Sequence, residues 1–230
     1  TGNDYAIYME NTEDTTIIDN TISDNGYGIY ITGNGFDTNT ISNNTITGSD
    51  NDGIYISGTD EITITNNTIS DSGDDGIDIA DDSDDNIIKH NNITGNDDYG
   101  IYSSSSVDAR YNWWGHASGP GGAGPGSGDS INNATLVDYS PWFGKTVASS
   151  PMTFYTDDAI QDVIDNATAG DTIRVYAGTY DESIEIDTQL TLIGNGTSST
   201  LINGDDDADV VKITEANVSF SGFKLYINDG

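Results

Sequence analysis

Aspartate clusters recur before each copy of a Gly-Ile dipeptide, and their carboxylates are the side chains best suited to chemistry in this sequence. Calcium takes about six to eight oxygen ligands, which Asp side chains and turn carbonyls can supply. If the clusters stack in space, they form either a calcium site or a solvated acidic edge that holds only diffuse counter-ions. The predicted calcium ligands are Asp50, Asp52, Asp71, Asp74, Asp75, Asp97 and Asp98.

Catalytic chemistry has less support in the sequence. Glycosidases use two nearby carboxylates, but Asp is so abundant here that no pair stands out. His90 and His116 are far apart in sequence, which argues against a histidine metal centre. Arg110 is expected to form an ion pair with a surface Asp. We therefore predict that the chain is not an enzyme.

The Asp clusters belong to a repeat whose copies follow one another in steps of 22 to 25 residues. A fixed period of this size is typical of solenoids. Within each copy, three short runs alternate apolar and polar residues, which predicts three strands with Ile on one face. The three predicted columns are Ile7, Ile29, Ile54, Ile77 and Ile101; Ile17, Ile41, Ile64, Ile88 and Ala109; and Ile22, Ile46, Ile69 and Ile93.

Three inward columns per turn describe a chain that winds around a triangular core and rises ~4.8 Å per turn. Asn recurs at one corner, where it tolerates left-handed backbone angles and can bond from turn to turn. A leucine-rich horseshoe is disfavoured because Leu is scarce and the repeat has no helical segment. Since parallel connections are overwhelmingly right-handed, the predicted fold is an all-β, right-handed parallel β-helix. The corner column is Asn20, Asn44, Asn67, Asn91 and Asn112.

A different pattern begins after residue 148. Asp157 or Asp158 is a candidate N-cap for a short amphipathic α-helix that ends before Gly170. Its predicted apolar face is Ala159, Ile160, Val163 and Ile164.

The Gly-Ile-x-Ile and Ile-x-x-Asn-x-Ile units resemble the β-helix repeats of the carbohydrate-binding and sugar-hydrolase class, which includes archaeal surface-layer proteins. The resemblance implies the fold and leaves the activity open, because lyases, hydrolases and structural proteins share it. Asn112-Trp-Trp-Gly115 and the later Pro-Trp resemble the segment that closes this fold. Trp113, Trp114 and Trp142 are therefore expected to cover an end turn, whereas a sugar-stacking platform is the alternative for the first two. The helix resembles the plug that opens the fold.

Three segments follow from these patterns. Residues 1–117 form β-helix turns, residues 118–148 form a Gly/Pro-rich loop with a Pro-Trp cap, and residues 149–230 open a second β-helix. Because the closing segment precedes the opening one, residues 215–230 of one copy are expected to pair with residues 1–22 of the next, head to tail. A circularly permuted monomer is the alternative.

The charge is extreme: 39 acidic residues face six basic ones, for a formal net charge of -33. Such a surface suits concentrated salt and disfavours nucleic acid and anionic membranes as partners. The sequence has no cysteine and no apolar run as long as a membrane span. Seven Asn-x-Ser/Thr sequons occur, of which Asn43 and Asn66 are the predicted glycosylation sites.

Together these features predict a structural, extracellular protein from a halophilic archaeon. It would be a subunit or tandem repeat of a filament or surface layer, and calcium and glycans are its expected ligands. A polysaccharide-binding or polysaccharide-cleaving β-helix is the alternative.

The charge predicts that folding depends on salt. At about 1 M salt the Debye length falls to ~3 Å, which screens repulsion among the carboxylates. The melting temperature, followed by circular dichroism, should therefore rise by at least about 5 °C between 0.1 M and 2 M NaCl. An unchanged melting temperature would contradict the halophilic origin.

Overall fold

The computed structural model describes residues 3–36, 38–80, 83–147, 150–204 and 209–227. The chain forms two compact units: unit 1 is Thr1–Tyr139 with Lys145–Val147, and unit 2 is Ser140–Gly144 with Ala148–Gly230. The predicted middle segment 118–148 is thus shared between the two units. None of the described helices is long and apolar enough to cross a membrane.

Unit 1 contains three sheets in which every pairing is parallel. The first sheet consists of β1 (Tyr5–Glu10), β4 (Tyr27–Phe36), β7 (Ile54–Asp60), β10 (Ile77–Ile79), β13 (Ile101–Ser103), β16 (Gly128–Ile131) and β15 (Pro120–Gly122). The second consists of β2 (Thr16–Ile18), β5 (Thr40–Ser42), β8 (Thr63–Thr65), β11 (Asn86–Lys89), β14 (Val107–Asp108) and β17 (Val137–Asp138). The third consists of β3 (Thr21–Ser23), β6 (Thr45–Thr47), β9 (Thr68–Ser70) and β12 (Asn92–Thr94).

The strand registers confirm the three predicted Ile columns. Ile29 pairs with Ile54, Ile41 with Ile64, and Ile46 with Ile69. These side chains are fully buried. Each turn therefore contributes one inward position to each column, which is the arrangement expected of a solenoid that lacks an independent core in any single repeat.

The Asn corner forms a continuous hydrogen-bonded ladder. Asn67 Nδ2 donates to Asn91 Oδ1 (3.1 Å), to Ile41 O (2.9 Å) and to Thr65 O (3.1 Å). Its Oδ1 accepts bonds from the backbone N (2.8 Å) and Nδ2 (3.1 Å) of Asn44. The side chain is fully buried, so the ladder satisfies polar groups inside the stack and links each turn to the next.

The bend at this corner lies one residue earlier than the sequence predicted. The residue that precedes each ladder Asn has a positive φ, for example Asn43 (55°) and Asn66 (57°). The ladder Asn instead uses its amide to bond backbone carbonyls of its own and the preceding turn. The left-handed position is therefore filled by varied residues, namely Asp19, Asn43, Asn66, His90 and Tyr111.

The Gly/Pro-rich segment was predicted to be a loop, but part of it forms strands. It contributes β15 and β16, which pair in parallel, and Ile131 pairs with Ile101 to extend the first sheet. Close backbone approach explains the glycine at position 128, where a Cβ atom would lie 2.1 Å from Trp114 O.

Unit 2 begins with β18 (Trp142–Phe143), which pairs antiparallel with β19 (Thr153–Thr156). The remaining pairings are parallel. The elements after β19 are α1 (Ile160–Asn166), β20 (Thr172–Val175), β21 (Gly178–Asp181), β22 (Ile184–Ile186), β23 (Thr191–Gly194), β24 (Thr200–Gly204), β25 (Val211–Ile213), β26 (Ser219–Ser221) and β27 (Lys224–Ile227). The strands form the sheets β18-β19-β20-β23-β26, β21-β24-β27 and β22-β25.

Helix α1 buries Ile160, Val163 and Ile164 as predicted, but its cap differs from the prediction. Neither Asp157 nor Asp158 is the N-cap, which is Ala159 without a side-chain bond. The carboxylate of Glu182 instead accepts bonds from the backbone N of Ile160 (2.8 Å) and Gln161 (3.0 Å). An acidic side chain from the segment between β21 and β22 thus takes the capping role.

The ladder predicts a large energetic effect at Asn67. Asn67→Ala should lower the free energy of unfolding by at least about 3 kcal/mol, because several buried donors and acceptors lose their partners. Urea unfolding in molar KCl measures the change. Asn66→Gly is the control, since this neighbouring side chain is exposed and Gly accepts its positive φ. Equal losses in both variants would contradict the role of the ladder.

Candidate functional site

Two outward columns on the first sheet of unit 1 carry the residues with the most unusual environment. One column, set by the strand registers, is Tyr8, Tyr30, Tyr55, Asp78 and Tyr102. Continuing the same registers, the other is Tyr5, Tyr27, Asp52, Asp75 and Tyr99. We call these ten residues the Tyr–Asp face. The tyrosines are not among the predicted site residues, although Tyr30 and Tyr55 are the outward residues of the two Gly-Ile-Tyr-Ile copies.

The tyrosines of this face stack on one another. The ring centroids of Tyr30 and Tyr55 lie 4.6 Å apart with a 17° interplanar angle, and those of Tyr8 and Tyr30 lie 5.7 Å apart at 17°. Tyr5 and Tyr27 stack at 5.5 Å and 22°. The ring faces are therefore largely used between neighbouring turns. Tyr8, at the edge of the stack in β1, remains 49% exposed.

Asp52 and Asp75 are the buried carboxyl groups of the face. Asp52 Oδ1 accepts a bond from the backbone N of Asp75 (3.0 Å), and Asp75 Oδ1 accepts one from the backbone N of Tyr99 (2.9 Å). Burial, with a smaller contribution from the charges of Asp74 and Asp78, raises the pKa of each to about 7, although the backbone hydrogen bond acts in the opposite direction. A pKa near 7 means that each of these groups is partly protonated at neutral pH.

Part of the predicted calcium site comes together here. Single carboxylate oxygens of Asp52, Asp74 and Asp75 lie within 4.8 Å of one another. Asp98 adjoins Asp74, whose pKa is raised by burial and by a hydrogen bond with Asp98. Asp50, Asp71 and Asp97 are exposed and lie outside this group of three. An all-oxygen set suits calcium, and the three clustered carboxylates would be its protein ligands. Calcium binding stays a prediction.

Trp113 and Trp114 follow the third sheet of unit 1. Trp113 bridges to Asn92, and its backbone O accepts a bond from the backbone N of Ile93 (2.8 Å). This register places Trp114 next after Ile93 in the third inward column, where its side chain is fully buried. A fully buried ring has no free face for a sugar, so the position of Trp114 fits an end cap.

Trp142 was predicted to cover an end turn together with Trp113 and Trp114. It belongs to unit 2, where its ring stacks on Tyr155 at 5.9 Å and 7°. The reason is its place in β18, which pairs antiparallel with β19. It therefore packs on the opening strand of unit 2, and its role as an end cap for unit 1 stays a prediction.

Two other sequence predictions concern exposed groups. Asn43 and Asn66 are exposed at equivalent corners, as a glycosylation site requires, and their modification stays a prediction.

Arg110 bonds Asp108 (2.9 Å) and lies 3.5 Å from Asp138, which confirms the expected ion pair. Burial alone would raise the pKa of Asp108, but hydrogen bonds from Arg110 and Lys89 lower this pKa to about 2.

The buried pair predicts a specific pH dependence. Because the pKa of Asp52 rises from 3.8 to about 7 on folding, the native chain holds more protons than the unfolded chain between these values. Stability from this group is therefore present at low pH and lost as pH rises towards 7. Asp52→Asn should reduce the slope of unfolding free energy against pH by up to about 1.4 kcal/mol per pH unit.

Urea unfolding at several pH values between 4 and 7 measures this slope. Asp97→Asn is the matched control, because it removes the same charge from an exposed corner. Equal slopes in wild type and Asp52→Asn would contradict the assignment. Repeating the wild-type series with calcium separates a bound cation, which would hold the carboxylates ionised and remove the slope, from a bound proton.

The parallel sheets, the inward Ile columns and the Asn ladder agree with the comparison with known families. The family described as a right handed beta helix region matches residues 5–136. Searches of curated proteins and of solved structures found no match. The matched segment is more than half of the 230 residues, and it covers nearly all of unit 1. The chain therefore belongs to the family of right-handed β-helix proteins.

Proposed function

We propose that this chain is a structural building block of a filament or surface layer on a halophilic archaeal cell. In this proposal each complete β-helix combines unit 2 of one copy with unit 1 of the next, head to tail. The copies are separate chains or successive repeats of one polypeptide, and the chain has no catalytic role. The single observation that carries the proposal is an uncovered core in unit 2.

That core lies in the turn formed by β25, β26 and β27. Leu225 pairs with Ile202, and Ile213 pairs with Ile186, so both side chains continue inward columns. Ile202 and Ile186 are fully buried, whereas Ile213 is 48% exposed and Leu225 is 43% exposed. Among the described residues, these three strands pair on one side only. Uncovered core side chains and free strand edges favour pairing with a further turn.

Unit 1 offers free strand edges at its first turn, although the inward side chains of Ile17 and Ile22 are already buried there. Within the part of the chain that the structure describes, β1, β2 and β3 also pair on one side only, with β4, β5 and β6. The other end of each unit also has strands that pair on one side only, such as β17 and β22, but it carries bulky groups. Trp114 fills an inward column of unit 1 beyond β12, and α1 buries its apolar residues against β19, β20 and β22.

The two open ends are therefore different surfaces. The open end of unit 2 is the last turn of its stack, and the open end of unit 1 is the first turn of its stack. Contacts between two different surfaces are heterologous, and such contacts form open chains unless a rotation closes them. A filament or a layer is the expected product. The extracellular location is supported by the exposed sequons at Asn43 and Asn66 and by the acidic surface, which suits a salt-rich medium.

The proposal predicts that a charge in the open core blocks association. Leu225→Lys should weaken association by about a hundredfold or more, because it removes apolar burial and places an ammonium group in the joint. Sedimentation velocity of the full chain in 2 M KCl, over a range of concentrations, measures the shift from oligomers to single chains.

Thr179→Lys is the matched control, since it adds the same charge at an exposed position of β21. Circular dichroism verifies that both variants fold, and exposure of Leu225 in the single chain makes its replacement tolerable. Wild-type protein that sediments as a single chain at every concentration would contradict head-to-tail assembly. So would a Leu225→Lys variant that associates as strongly as the control.

A second candidate function is binding or cleavage of a polysaccharide at the Tyr–Asp face. The observation in its favour is the pair Asp52 and Asp75, whose pKa values of about 7 suit acid–base chemistry. Turnover of a polysaccharide by the wild type that is lost in Asp75→Asn would favour this candidate over a purely structural role.

A further inference from the structure

The corner between β26 and β27 has the same residue spacing as the Asn corner of unit 1. In unit 1, the inward residues of the second and third sheets are five positions apart, as are Ile17 and Ile22. Phe220 and Leu225 are also five positions apart. The third residue of each segment is left-handed: φ is 57° at Asp19 and 84° at Gly222.

This match identifies equivalent sheets in the two units. The preceding turns of unit 2 have longer steps, seven residues from Ile173 to Tyr180 and ten from Leu192 to Ile202. The turn of β25, β26 and β27 therefore has the corner pattern of unit 1, whereas the turns before it do not. By this correspondence β26 is equivalent to β2 and β27 to β3, which leaves β25 equivalent to β1.

The alternation of faces then selects one register for β25 on β1. In β22 the first and third residues are buried and Glu185 is exposed, and Val211, Lys212 and Ile213 pair with this triplet in order. In β1 the triplet Ile7-Tyr8-Met9 pairs with Ile29-Tyr30-Ile31, whose two Ile side chains are buried. A shift by one residue would turn each inward side chain to the opposite face.

Shifts by two residues keep the faces but place charge in the core. If Ile213 paired with Ile7, Glu215 would pair with Met9, whose side chain points inward and is 5% exposed. The opposite shift would set Asp209 on Ile7. Burying an unpaired carboxylate in either position costs more free energy than the apolar contacts of the joint contribute there.

We infer that the joint has a single register, in which Val211-Lys212-Ile213 of one copy pairs with Ile7-Tyr8-Met9 of the next. This inference rests on the proposed head-to-tail function and specifies its contacts. Phe220 then covers Ile17, and Leu225 covers Ile22. The outward column becomes continuous across the joint, with Lys212 beside Tyr8.

Charge supports this pairing of ends. The strands and loops of 211–227 contain two of the six basic residues, Lys212 and Lys224, and one acidic residue. Residues 5–23 contain four acidic residues, Glu10, Glu13, Asp14 and Asp19, and no basic one. Opposite charges meet when unlike ends join, whereas two copies of the unit 1 end would repel each other.

Lys212 also has a specific place to bind. Its Nζ lies 2.7 Å from Glu185 Oε1, and more than half of its side chain is exposed. The partly exposed ring of Tyr8 lies at the edge of the tyrosine stack. In the inferred register the ammonium group comes next to this ring, where it can form a cation–π contact.

Cysteine cross-linking tests the register, because the natural chain contains no cysteine. Full chains carrying Lys212→Cys are mixed with chains carrying Tyr8→Cys in 2 M KCl and are oxidised mildly. A disulfide needs Cβ atoms about 3.5–4.5 Å apart, which directly opposite residues approach and diagonal ones do not. The mixed dimer should form at least about tenfold faster than in the control mixture of Thr214→Cys with Tyr8→Cys.

The outcomes separate the register from the assembly. A faster dimer in the Thr214→Cys mixture would overturn the register and leave head-to-tail assembly in place. No dimer in either mixture, together with single chains in sedimentation of the wild type, would overturn both. A chain carrying both Lys212→Cys and Tyr8→Cys that cross-links only within itself would replace assembly with a circularly permuted monomer.

Discussion

Coverage of each turn by its neighbours is the interaction on which this structure depends. A single turn of a β-solenoid contributes only a few inward side chains and cannot bury them alone. Ile54 lies between two turns and is fully buried, whereas Leu225 continues a similar column in a turn covered on one side and is 43% exposed. In unit 2 the exposure of an inward aliphatic side chain therefore depends on the next turn, whereas Ile17 and Ile22 in the first turn of unit 1 are only 7% and 6% exposed.

Polar groups obey the same constraint as apolar ones. Asn67 is buried because Asn44 and Asn91 occupy its two neighbouring turns and exchange amide hydrogen bonds with it. On the outer face, Asp52 and Asp75 also stack, but like carboxylates cannot satisfy each other as amides do. Their burial raises their pKa values to about 7, which favours the protonated form of both groups below this pH. In the Tyr–Asp face, repeating an ionisable residue from turn to turn therefore disfavours its charged form.

The repeat made the stacked core predictable from sequence, since Ile at period two within a period of 22 to 25 residues fixes both the strands and their register. Features that depend on contacts outside the repeat were missed. The helix cap comes from Glu182, which is about twenty residues away from the helix start and carries no local capping signal. The strand that contains Trp142 pairs antiparallel, and no pattern marks such a short element. The tyrosine columns were visible in the repeat, but only their alignment showed that they meet buried carboxylates.

Electron cryo-microscopy of the full chain in molar salt tests the central claim most directly. The account predicts particles or fibres in which density runs without a gap from β25, β26 and β27 of one copy into β1, β2 and β3 of the next. The turn spacing across this joint should equal the ~4.8 Å spacing within each unit. Isolated chains in which the turn containing Leu225 faces only solvent, or covers unit 1 of the same chain, would contradict it.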